Sequence, residues 1–201
     1  MSTQRRYALV DGAAEPARGQ SGSGARRYRV AVTESASLTE EELVGTAGER
    51  ELLDGFLDYH RQVVSGKLRG LSENDARRRL VPSATTPIGL VKHAAAVERA
   101  WFQHYLAGWP PEQIAGNSRG DAASWNVGKD ETIADVIAEF GESCAESRRI
   151  AAAFALDHTV PHERLGRVSV RWIYVHMIRE HPRHLGQADI LREQIDGATG
   201  D

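Results

Sequence analysis

The sequence predicts an all-α fold, a four-helix bundle, on three observations. Four long stretches carry apolar residues at steps of three and four, the period of a helix buried along one face. Helix-start chemistry stands in front of them, with Thr39, Thr86–Pro87, Asp130 and Ser169 at the right places. The stretches are joined by loops, with no convincing strand pattern between them. At 201 residues the chain has room for one domain with a sizeable core and little room for two.

Residues 1–37 differ in character from the rest of the chain. AAEPARGQSGSGARR is small, polar and Gly-rich, a composition that cannot bury enough surface to fold alone. RRYRVAVTE has the makings of a short strand but no partner to pair with. The reading is a disordered N-terminal extension followed by a bundle over residues 38–201. The first helix begins within LTEEELVGTAGEREL and ends near Leu68, with Leu53, Leu57, His60, Val64 and Leu68 on one stripe. Ser72 and Asp75 open a short helical turn. The second helix runs from Pro87, a good first helical residue, to about Leu106. Leu90, Ala94, Val97, Trp101 and Tyr105 mark its buried stripe, with His93 on the same side. A long loop follows, a crossover or a lid, whose Trp125 is expected to pack on the bundle end. Asp130 is expected to cap the third helix, which carries Ile133, Ile137, Phe140, Cys144, Ala151 and Phe154. DHTVPHERLGR reads as a plain connection, and Ser169 caps the fourth helix.

Composition excludes several classes. The net charge of −3 gives no overall attraction to nucleic acid. No run approaches the ~18 apolar residues of a membrane helix, and the N-terminus lacks a signal-peptide core. Cys144 is the lone cysteine, so an intrachain disulfide and a CxxC zinc site are both excluded, and a cytoplasmic location fits. In the middle of a helix without a basic neighbour on its face, it reads as a small core residue.

The fourth helix carries the chemistry. Ile173, Met177, Ala188, Leu191 and Ile195 form its apolar stripe, and Glu180 and His184 occupy two places on that stripe. Residues four apart are rotated by only ~40°, so a carboxylate and an imidazole are aimed together at the expected core. A buried charge needs a partner or a metal. With His93 from the second helix, the set is two imidazoles and one carboxylate, as in catalytic zinc sites and related Fe(II) sites. A buried hydrogen-bonded network is the plainer alternative. His176 lies four before Glu180 and is either a supporting residue or another ligand; His181 lies three before His184 and competes with Glu180. Pro182 either bends this helix or marks a pocket wall. His60 either lines the pocket or is a satisfied core histidine, and His104, His158 and His162 read as surface or loop.

TTPIGLVKHAAAVERAWF together with SVRWIYVHMIREHPRHLGQADILREQIDGATGD resembles the DinB-like superfamily, in particular its DUF664 (mini-circle protein) branch. The resemblance spans about residues 49–201. It implies a DinB/YfiT-like four-helix bundle with a divalent metal held by one side chain of the second helix and two, four apart, of the fourth. Carried onto this sequence, those are His93, Glu180 and His184, and the glutamate is similar to the middle ligand of mycothiol-dependent maleylpyruvate isomerase. Arg179, His181–Pro182 and Gln187 depart from the branch's usual residues.

The expectation is a metal-binding protein with zinc as the first choice and nickel or iron as alternatives. It would use a low-molecular-weight thiol of the mycothiol type, as an S-transferase or isomerase acting on an electrophilic small molecule. Arg183 is the candidate to hold the thiol's carboxylate. A metal-water hydrolase and a non-enzymatic metal- or ligand-binding bundle are the alternatives, and a homodimer is compatible with either.

Overall fold

Thr39 opens the described part of the chain with a capping box: its side chain accepts from the amide of Glu42, whose carboxylate reaches back to the Thr39 amide. The computed structural model describes residues 38–200, and the reading of residues 1–37 as an extension lies outside the described residues. The expected first helix divides into α1 (Glu40–Leu43) and α2 (Glu49–Gly66). Gly48 caps the second piece in extended conformation, so the VGTAG stretch breaks what periodicity alone would join. Ser72 caps the short α3 (Glu73–Ala76) as expected.

Thr86 accepts from the Gly89 amide and Pro87 opens α4 (Pro87–Glu98). Every residue of α4 except Lys92 is buried, which makes it the central helix. It continues directly into a π-helical segment, Arg99–Leu106, so the second helix ends where the sequence placed its end but with a widened last part. The loop that follows holds two 3₁₀ turns, Pro111–Gln113 and Ala122–Trp125.

The cap of α5 (Ile133–Ala151) is Thr132 rather than Asp130. Thr132 and Asp135 satisfy each other's amides in a capping box, which Asp130, two residues upstream, is placed too early to do. The segment read as a plain connection contains an antiparallel hairpin, β1 (Thr159–His162) with β2 (Gly166–Ser169). Strands of four residues, one interrupted by Pro161, are too short to show alternation in sequence. Val160 and Val168 pair across the hairpin and join the core. Ser169 then caps α6 (Val170–Asp196), which runs through Pro182 and ends at Gly197 in left-handed conformation.

The described residues are mostly helical, with this hairpin as their sheet. The long helices pair as α2 on α6 and α4 on α5, and α4 also packs on α6. One apolar cluster gathers Leu57, Phe102, Ile173 and Met177; another gathers Leu68, Ile88, Val91, Phe140 and Leu185. No helix among the described residues is long and apolar enough to cross a membrane.

Candidate metal centre

His93 of α4 and Glu180 and His184 of α6 come together where these two helices pack. One donor atom from each side chain lies within 4.8 Å of the other two. The His93 and His184 rings meet edge-on at 4.9 Å. His93 is buried, whereas Glu180 and His184 are half-buried on the flank of α6.

Groups around the rings fix which nitrogens face inward. The Ser124 hydroxyl donates to the Asp121 carbonyl (2.5 Å), so it accepts from Nδ1–H of His93 (2.7 Å). Gln187 Oε1 accepts from Nδ1–H of His184 (3.0 Å). In both rings Nε2 is therefore the atom left for a ligand's work, the arrangement that orients histidines around metals. Nε2 of His184 faces Oε1 of Glu180 at 3.0 Å; a proton shared there is the one a cation would replace.

The electrostatics favour a carboxylate and at least one neutral ring. Burial, reinforced by His184, pushes the His93 pKa down to about 4. The hydrogen bond from His184 brings Glu180 down to about 2 against the opposing effect of burial. For His184 burial opposes protonation, yet its bonds to Glu180 and Gln187 outweigh it and raise the pKa. Trp125 lies flat on His93 at 4.2 Å and 13°, with its ring edge-on to His184. It thus covers the donor cluster as well as packing near Leu90 and Leu191, which is more than the bundle-end role expected of it.

The sequence placed the wrong residues of α6 deepest in the core. Its buried line is Ile173, Met177, His181, Leu185, Ala188 and Leu191, and His181 is 1% exposed. His181 stays out of the donor cluster because Nε2 bonds Glu98 Oε1 at 3.0 Å. Glu98 is 0% exposed and also takes two bonds from Arg61, at 2.8 and 2.7 Å. Burial works against the charge on Glu98, but the Arg61 guanidinium and His181 hold its carboxyl well below the usual range. Periodicity and spacing gave no hint of Arg61, Glu98, Ser124 and Gln187 as partners. Glu98 had a visible signal, a lone carboxylate inside the apolar run HAAAVERAW.

His176 joins an aromatic group instead of the donors, and half-buried His60 packs beside Tyr59. His162, expected at the surface or in a loop, is buried at the end of β1; His158 is exposed, and His104 is half-buried against the Trp109 carbonyl. Cys144 is buried, and burial raises its pKa well above normal, as befits a core residue. Arg183 is exposed and makes no hydrogen bond or ion pair among the described residues.

Helical architecture with a His–Glu–His cluster between two packed helices defines a helical protein with a candidate metal site. The sequence matches the family described as "MST: Mycothiol-S-transferase" over residues 52–197, most of the chain, and the protein belongs to that family. No match to a curated protein reaches significance.

Proposed function

We propose that this protein is a metal-dependent S-transferase that joins mycothiol, or a thiol like it, to electrophilic small molecules. The observation that carries the reading is the convergence of one donor atom from each of two imidazoles and one carboxylate, with Ser124 and Gln187 bonded to the two rings. Two imidazoles and a carboxylate suit zinc first, and nickel or iron next. Bound there, a divalent cation supplies the charge that keeps a coordinating thiol deprotonated at neutral pH.

The chain's own residues do the rest. Trp125 shields the His93 side from water, and Arg183, exposed and adjacent to His184 in the chain, is the residue proposed to meet an anionic group of the thiol. The working unit in this proposal is residues 38–201 as one bundle domain, in the cytoplasm, alone or as a homodimer.

Metal analysis of the purified protein tests the centre. The expected result is close to one divalent ion per chain in wild type and a large loss in His184→Ala. No metal in wild type, or full occupancy in His184→Ala, overturns it. Mass spectrometry after incubation with mycothiol and an electrophile tests the chemistry; a conjugate that forms no faster than without protein overturns the transferase reading.

A further inference from the structure

Five aromatic rings, none of them a member of the donor cluster, gather where the π-helical segment, the hairpin and the first half of α6 meet. Trp101 is their hub. Its ring lies 4.4 Å from His176, 5.1 Å from Tyr105, and 5.3 Å from both His162 and Trp172. Trp172 and His176 stack at 10°, and Tyr105 and His162 at 21°. This is not a sealed core. Trp172 is 39% exposed, and Trp101, Tyr105 and His176 are half-buried. Segments of π-helix recur at functional sites, and here one presents Trp101 and Tyr105.

The shelf of rings continues into the donor cluster. Trp172, His176, Glu180 and His184 follow at steps of four along α6, each rotated ~40° from the one before, so each neighbours the next in a line that winds around the helix. Trp172 stands eight residues before Glu180, about 12 Å along the helix. Opposite them, α4 and the segment after it carry His93, Val97 and Trp101, again at steps of four. Gly120, at φ 63°, brings the loop over this line: a Cβ there would lie 3.4 Å from Val97 and 4.0 Å from the His93 ring.

The ring nitrogens add polarity of one sign. Nδ1 of His162 accepts from the amides of Arg164 (3.2 Å) and Leu165 (3.3 Å), which leaves the ring proton on Nε2. That N–H has no partner among the described residues, although His162 is only 9% exposed. Nδ1 of His176 likewise accepts from Arg179 (3.2 Å), leaving its Nε2 as a donor.

We infer that this aromatic shelf is the electrophile subsite, and that it selects flat, electron-poor, fused-ring electrophiles bearing an acceptor oxygen. The inference rests on the transferase reading. Electron-rich indole and phenol faces stack well on electron-poor rings, and N–H donors at the edge meet nitro or carbonyl oxygens. About 12 Å between Trp172 and Glu180 suits a fused bicycle with its reacting carbon towards the thiol. A small aliphatic electrophile is too short to touch both ends. With 4-chloro-7-nitrobenzofurazan, the thiolate sulfur bonds to the ring carbon, the carbon–chlorine bond breaks, and chloride leaves with its electron pair. The thiol proton passes to solvent.

The experiment compares this compound with iodoacetamide, both with mycothiol and the full-length protein. Non-reactive 4-amino-7-nitrobenzofurazan is titrated separately against tryptophan fluorescence. In Trp172→Ala, the ratio of kcat/KM for the bicyclic compound to that for iodoacetamide is expected to fall about tenfold. The Kd of the non-reactive compound should rise by a similar factor. Trp172→Phe, which keeps a ring, is expected to stay within about threefold of wild type on both measures. A ratio and a Kd unchanged in Trp172→Ala overturn the shelf while leaving the transferase standing. If neither electrophile is conjugated, the transferase reading falls, and the titration alone decides whether the rings hold a flat ligand.

Discussion

Ser124 controls a tautomer. Its hydroxyl is committed to the Asp121 carbonyl, so it has a lone pair for His93 and no proton to give it. Ser124→Ala leaves Nδ1–H of a buried imidazole without an acceptor, and the ring gains by moving that proton to Nε2, the atom needed for a ligand. Metal affinity is expected to fall about 10–100-fold, measured by competition with a chelator. Gln187→Ala removes the equivalent bond from His184, but Gln187 is exposed and water can replace it. Its effect on affinity is expected to be the smaller of the two; the reverse order would show that the tautomer of His93 is not set by Ser124. Neither partner was legible in the sequence. Gln187 stood out only as a departure from the family pattern, and Ser124 reaches His93 because of the path of a loop that no periodicity describes.

At the scale of elements, Glu98 ties three helices together. It stands on α4 and receives Arg61 from α2 and His181 from α6, beside the turn that carries Glu180 and His184. Ionic groups so deeply buried add little net stability over apolar replacements, but removing one partner strands the other charges. Glu98→Gln is therefore expected to cost on the order of 3 kcal/mol, or roughly 6–12 °C in Tm for a chain of this size. Calorimetry of the metal-free protein checks this, and a Tm within a degree or two of wild type would remove Glu98 as the tie. The phase of α6 was readable only to within one residue. Stripes through Glu180–His184 and through His181–Leu185 both continue Ile173 and Met177 towards Ala188, and the partner on α4 decides between them.

For the molecule as a whole, Glu98 also sets a dependence on acidity. Its carboxyl is held well below the ordinary range in the folded state, against 4.5 as the reference value for the unfolded chain. A depressed folded pKa gives stability that is complete above the unfolded value and is lost as the pH falls towards the folded one. The stability advantage of wild type over Glu98→Gln should therefore be constant from pH 7 to about 5.5 and shrink below about 4.5, as read from urea unfolding. An advantage that persists undiminished at pH 3 would contradict the ionised, paired carboxylate.

What the sequence determined by itself was local: the helical stretches, the Thr86–Pro87 and Ser169 starts, and the pairing of Glu180 with His184 four residues apart on one helix. Helical period and capping are encoded within a few residues, so they survive without knowledge of the fold. Tertiary structure alone decided that His181 turns to a buried glutamate, that Ser124 and Trp125 close over His93, and that five rings extend the site along α6. Each of these needs two segments far apart in the chain to be brought to within a bond's length, and that distance is set by packing rather than by spacing.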